Sequence, residues 1–246
     1  ANYTKQEGIL VGNDFERKGV RFNIDHKVND WFKLRGTATY NTADTKSYNS
    51  GSLQGSAQYI YGAARLALSL PPNVSPYNPN GSYNLTPTGQ LGAGGNLVNT
   101  TLYNPAALFD NASNSANNDR FIGSISGDFK LFKLLDFRTI YALDRLRSEN
   151  LSYLSPVLGS QGYGVGGSTT NVSALRNNYV FTNTLSYDGR FGKSHIAALG
   201  GMDYQSFETS IWGAEATKAA DPFYQYYQGG WTNINPSGNF KGERIY

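Results

Sequence analysis

The sequence predicts an all-β chain, part of a large antiparallel β-barrel that crosses a membrane, with about seven to eight strands present and long extracellular loops, one carrying a short helix. Three observations carry that reading. First, residues 19–28 and 31–40 alternate apolar and polar side chains in strict register, with only Asn29-Asp30 between them. Period two over that length means a hairpin with one apolar and one charged face. Second, short turns alternate along the chain with loops of tens of residues, as outer-membrane barrels do with their periplasmic turns and outer loops. Third, of the 246 residues 16% are charged and 14% aromatic, with 18 Tyr, 13 Phe and 28 Gly. Soluble domains carry about a quarter charged residues, so this mixture suits aromatic-girdled strands and polar loops.

Taken in order, residues 3–10 read as one strand, followed by a polar tip at Gly12-Asn13-Asp14. In the hairpin that follows, Val20, Phe22 and Ile24 oppose Arg21, Asn23 and Asp25, and Phe32, Leu34, Ala38 and Tyr40 oppose Lys33, Arg35, Thr37 and Thr39. Residues 47–118 then form a segment rich in Asn, Gly, Ser and Pro, longer than a compact soluble domain tolerates as loop. Within it, Tyr59, Ala63, Leu66 and Leu70 recur at helical spacing, predicting an amphipathic helix over 57–70 that Pro71-Pro72 stops. Asn78-Pro79-Asn80-Gly81 and Tyr103-Asn104-Pro105 read as turns.

Alternation returns at 121–132 and 135–147, joined at Lys133-Leu134, with Phe137, Thr139, Tyr141 and Leu143 on one face, Arg138 and Asp144 on the other, and Ile140 out of pattern. A Gly/Ser/Asn-rich loop is expected over 159–178. A third hairpin pairs 179–187 with 195–212 around 188–194; Tyr179, Phe181, Leu185 and Tyr187 share a face, while the second strand carries apolar residues in both phases. A third long loop is expected over 214–238, and residues 240–246 read as the opening of another strand.

Composition excludes several chemistries. The chain has no cysteine, which removes disulfides, thiolate metal sites and a Cys nucleophile. Its net charge of +3 is scattered rather than clustered, so no nucleic-acid partner is expected. No run of about 18 apolar residues exists, so no transmembrane helix is present. The mean hydropathy of −0.46 says little about a barrel, whose lipid face is hidden in alternation. The N-terminal Ala1-Asn2-Tyr3-Thr4 has no initiating Met, basic n-region or apolar h-region, so a signal peptide is expected to be either removed or never part of this piece.

Several fragments, in order and across nearly the whole chain, resemble the SusC/RagA-type TonB-dependent outer-membrane transporters. They are Arg21-Phe22-Asn23-Ile24-Asp25-His26-Lys27-Val28-Asn29-Asp30-Trp31-Phe32-Lys33-Leu34, Pro71-Pro72 with Asn80-Gly81-Ser82-Tyr83 behind it, Tyr103-Asn104-Pro105, Leu135-Asp136-Phe137-Arg138 and His195-Ile196-Ala197-Ala198-Leu199-Gly200-Gly201. The resemblance implies a barrel of roughly 22 strands, with a plug domain and a TonB box that this sequence lacks. Residues 1–246 then read as an internal barrel segment. It further implies energised uptake of oligosaccharides or peptides across the outer membrane of a Bacteroidetes-like bacterium. The implied partners are outer-membrane lipid, a SusD-like surface lipoprotein as lid, and TonB acting through the missing N-terminal parts. No cofactor and no enzyme activity are implied.

Other motifs carry less. Gly192-Lys193-Ser194 is not a phosphate loop, because the Gly required five residues before Gly192 is Tyr187 and no helix pattern follows. The glycines of 89–95 lack the flanking elements of a dinucleotide fold. His26 and His195, the two histidines, have no metal-ligand spacing, and Ser194-His195 neighbours point to opposite faces. Asp25, Asp128 and Asp144 fall on the expected lumen face among Arg21, Lys130 and Arg138, which predicts solvated ion pairs and no catalytic residue. Phe223, Tyr224, Tyr226, Tyr227 and Trp231 crowd one outer loop beside Asn233 and Asn235. Flat rings with amide neighbours suit capture of a sugar or peptide, and Tyr224, Tyr226, Tyr227 and Trp231 are the candidate ligand-binding residues. They suit equally a membrane girdle or packing on a partner. A non-transport barrel or adhesin, and a secreted soluble glycan-binding β-protein, stay open as alternatives.

Overall fold

A computed structural model of the chain describes residues 1–9, 12–47, 68–87, 89–93, 102–158 and 166–245. Eight strands form one sheet in chain order, each antiparallel to its predecessor. They are β1 (Asn2–Glu7), β2 (Asp14–Lys27), β3 (Phe32–Ser47), β4 (Ala112–Phe132), β5 (Leu135–Leu154), β6 (Ser168–Phe191), β7 (Ser194–Ala219) and β8 (Trp231–Ile245). The β2–β3 turn forms because the Asn29 side chain accepts from the backbone N–H of Trp31 (3.0 Å) and of Phe32 (2.8 Å), replacing a backbone turn by an Asx turn. Beside it Lys27 donates to Asp30 and holds that exposed carboxyl below its ordinary range. The β6–β7 turn narrows to Gly192-Lys193, where Gly192 has φ of +60°, open to glycine at no cost. Residues 188–191, expected in that turn, continue the β6 ladder instead.

Register puts the alternation to use. Phe22, Ala38, Gly123, Leu143 and Tyr179 stand in one row across β2 to β6, and Phe32, Phe129, Phe137, Leu185 and Gly200 in another across β3 to β7. The phase that sequence left open in β7 is fixed by pairing: Ile196, Ala198, Gly200, Met202 and Tyr204 share this face. Its large apolar groups are exposed, Val20 at 54%, Phe22 at 62% and Met202 at 57%. The apolar positions occupy runs 32–40, 121–129, 135–143, 179–187 and 196–204, nine residues on each strand. At about 3.3 Å per residue and about 45° tilt such a run rises about 21 Å, close to the ~25 Å band of a membrane barrel. The upper edge of the band steps down by two residues at β5 and again at β7, the stagger expected of tilted strands. Small residues in the band are covered by rings: a Cβ on Gly127 would meet Phe129 Cε2 at 2.7 Å and Phe32 Cε2 at 3.3 Å.

The strands are longer than the alternation. Ordered pairing brings β4 in at Ala112 rather than 121 and β6 in at Ser168 rather than 179, and carries β7 out to Ala219, so much of the expected loops 159–178 and 214–238 is strand. The reason is chemical. Past the band the same face turns polar (Thr42, Asp44 and Lys46; Asp119 and Asn117; Arg145, Arg147 and Glu149; Ser206, Glu208 and Ser210), so the period-two signal fades while the backbone ladder continues.

The expected helix over 57–70 lies outside the described residues apart from 68–70. A helix within the same connection, α1 (Pro105–Asn111), stands where Tyr103-Asn104-Pro105 read as a turn. Asn104 caps it by accepting from Ala107 N at 3.2 Å, with Pro105 in the first turn, where its missing N–H costs nothing.

Candidate functional site

The face opposite the apolar band carries the charge. Asp25, Arg35, Asp128 and Arg138, on β2 to β5, form a diagonal ladder. Arg35 Nε lies 3.4 Å from Asp25 Oδ2, Arg35 Nη2 lies 3.0 Å from Asp128 Oδ2, and Arg138 Nε donates to Asp128 Oδ1 at 2.5 Å. Higher on the same face Arg120 grips Asp144 with two bonds, 2.9 and 2.6 Å. Thr37 and Ser124 hydroxyls meet at 2.8 Å between them. The expected ion pairs of Asp25, Asp128 and Asp144 are thus present, but their partners differ in part: Arg35 and Arg120 were not foreseen, and Arg21 instead donates to Asn23 at 3.2 Å. Cross-strand register was the missing signal. The arginines are about half exposed, so each pair contributes under about 1 kcal/mol, and the ladder orients the side chains more than it stabilises them.

At the end of the sheet away from the tight turns, neighbouring residues of β5 anchor two different structures. Leu154, paired with Ala112 on the charged face, packs with Tyr103, Ala107, Leu108 and Leu158 of the β3–β4 and β5–β6 connections. Asn104 and Asn84 are buried within the first of these. Asn104 Nδ2 donates to Pro76 O (2.7 Å) and Asn84 O (3.1 Å), and Asn84 Nδ2 donates to Ser75 O (2.9 Å) and Gly92 O (3.0 Å). Tyr83 donates to Asp110 Oδ2 at 2.8 Å, which pushes the phenol pKa above its ordinary 10. Tyr153, one residue earlier, faces the other way and packs with Ala216 and Trp231.

The candidate ligand residues separate around that second cluster. Trp231 is buried at 9% exposure and its Nε1 donates to Tyr226 O at 2.8 Å. The Tyr227 hydroxyl accepts from Asn171 N at 2.6 Å and donates to Ala214 O, and Tyr153 and Thr169 bond the loop backbone at Pro222 and Gln225. Trp231 and Tyr227 therefore hold the 220–230 connection against the sheet. Tyr224 and Tyr226 are exposed, with Phe223 set edge-on to Tyr224 at 5.2 Å between centroids. All lie over the face that carries the apolar band lower down. Tyr153 and Thr169, the sheet's half of this contact, sit where alternation had already faded and were not singled out by sequence.

No family model matches the chain. Among curated proteins it is 25% identical over 245 residues to TonB-dependent receptor P3 of Formosa agariphila, covering 96% of this chain and 23% of the relative. It is 27% identical over 217 residues to TonB-dependent receptor P26 of the same organism, covering 87% and 20%. The chain is similar to a segment of a TonB-dependent receptor. It spans about a fifth to a quarter of the length of these relatives. Among solved structures, the RagAB peptide importer matches in its open-open state with a TM-score of 0.68 and 18% identity, and in its closed-closed state with 0.66 and 18%. Each match covers 99% of this chain and 26% of the other. The fold is accordingly that of an arc of barrel wall, similar in fold to the RagAB structures, with one apolar face and one charged face.

Proposed function

We propose that the chain forms part of the wall and outer loops of an outer-membrane TonB-dependent transporter that takes up oligosaccharides or peptides, with a SusD-like surface lipoprotein as its lid. The nine-residue apolar band backed by a charged face carries this reading: an apolar exterior matched to lipid and a wet interior are what a transport barrel needs and a soluble sandwich does not. The RagAB neighbours are peptide transporters, which supports the substrate range. The relatives are receptors and transporters rather than enzymes, and no residue is assigned a catalytic part. Energy would come from TonB acting on parts of the polypeptide beyond this segment. Within the 220–230 connection, Tyr224 and Tyr226 offer open rings to a ligand, and Tyr227 and Trp231 hold them in place.

The test uses the full-length protein reconstituted with its lipoprotein. Heat-modifiable gel migration and a requirement for detergent are expected of the barrel; a monomer soluble without detergent would refute the membrane reading. Replacing Tyr224 and Tyr226 by Ala is expected to weaken binding of at least one oligosaccharide or peptide. Unchanged affinity for every ligand tried would remove these residues from the site.

A further inference from the structure

A recess of about 430 Å³ opens on the charged face near the tight turns, between β3 and β7. Two rows of side chains build it. Lys33, Asp128, Arg138 and Thr184 stand opposite one another across β3 to β6, and Lys130, Asp136, Ser186 and Leu199 across β4 to β7. Four cations line it (Lys33, Arg35, Lys130 and Arg138) against three carboxylates, Asp30, Asp128 and Asp136. Two of those carboxylates are already engaged: Asp128 by both arginines and Asp30 by Lys27. Lys33 stands directly across from Asp128 and Lys130 from Asp136, yet neither lysine forms an ion pair among the described residues. Lys130 acts on Asp30 only at longer range.

We infer that this recess is a carboxylate site in the lumen, with Lys33 and Lys130 as its charged donors and the Thr184 and Ser186 hydroxyls beside them. The inference rests on the transporter reading and adds to it a place on the inner half of the path where an acidic group rests. The arginines are fixed by Asp128 and shape the floor, whereas the two ammonium groups carry free donors on flexible stems, suited to a point contact with a passing anion. A concave wall raises the local field and so the concentration of anions there. Leu199, 75% exposed and standing beside Ser186, offers an apolar contact for the carbon attached to the carboxylate.

The test is made on the full-length protein in detergent at low ionic strength, with succinate and hexaglutamate as probes and saturation-transfer NMR as readout. Succinate is expected to bind, and the Lys33→Gln/Lys130→Gln pair to weaken it at least ten-fold. Lys193→Gln, at the tip of the β6–β7 turn, is expected to leave it within two-fold. Binding of hexaglutamate as well assigns the site to peptide carboxylates; binding of succinate alone assigns it to small free acids. A wild-type protein that binds neither probe, or a double variant that binds them within two-fold of wild type, overturns the inference. Should the double variant lose heat-modifiable migration, the single substitutions carry the test with at least a three-fold loss each. Wild-type protein that keeps heat-modifiable migration but binds neither probe overturns the carboxylate site and leaves the barrel reading standing.

Discussion

The described parts of the β3–β4 connection, residues 68–87, 89–93 and 102–111, and the 220–230 connection leave the same end of the sheet and meet adjacent residues of β5, yet they are held by different physics. The first has an interior of its own: Leu91, Tyr103, Ala107 and Leu108 are buried, and two buried asparagines tie its backbone together from within. The second has almost none. Its large residues are either exposed, like Phe223, or bonded to the strands, like Tyr227, while Trp231 at the start of β8 packs over Tyr153 and Ala216. A loop with a core can keep its shape when its surroundings move; a loop pinned to a wall moves with that wall.

That contrast can be broken most strongly at Trp231. Trp231→Ala removes the ring over Tyr153 and Ala216 and should cost about 3 kcal/mol locally, read as lost hydrogen-exchange protection across 220–230 with 68–111 unchanged. Exchange that rises in both connections would show that they are coupled. Asn104→Ala should follow, at about 2 kcal/mol, because it removes the Nδ2 bonds to Pro76 O and Asn84 O, each left with one backbone N–H, and uncaps α1. Here faster exchange is expected at Ala107 and Leu108, with the 220–230 amides unaffected. Tyr227→Phe keeps the ring and removes only the hydroxyl, leaving the Asn171 N–H without it; about 1 kcal/mol is expected, confined to the β7–β8 connection. Proteolysis within 220–230 should rise only slightly.

The smallest effect is a pH dependence. The folded Tyr83 pKa is raised by its bond to Asp110, so the contribution of that bond is fully present below the ordinary phenol pKa and is lost as pH climbs through the raised value. Ultraviolet titration should show one tyrosine ionising later than its neighbours, and Asp110→Asn should bring it back toward the rest. No delay in wild type would contradict the contact.

Much of this architecture was legible in the chain. The hairpin at Asn29-Asp30, the rows Val20-Phe22-Ile24 and Phe32-Leu34-Ala38-Tyr40, and the return of alternation after residue 120 all follow from side-chain period, which lipid on one side and water on the other impose directly. Legibility ended where that contrast ended. Between Ala112 and Asp119 both faces carry only polar residues and alanine, and between Ser168 and Asn177 the few apolar residues, Val172, Ala174 and Leu175, do not alternate, so the backbone pairing of these strands leaves no period-two mark. In the candidate loop, the cluster of aromatics was visible, but the partition between Tyr224 and Tyr226 outside and Tyr227 and Trp231 inside was not, since it depends on Tyr153, Thr169 and Ala214 arriving from three other strands.

The sequence by itself determined the alternating faces, the turns at Asn29-Asp30 and Lys133-Leu134 and the apolar width of the wall, because those are local consequences of side-chain order under a pleated backbone. Only the tertiary structure decided the pairing of Arg35 and Arg138 on Asp128, the phase of β7, and the opposite destinations of the two connections. Each of these depends on cross-strand register, a relation between residues far apart in the chain that becomes fixed only when the backbone hydrogen bonds between strands close.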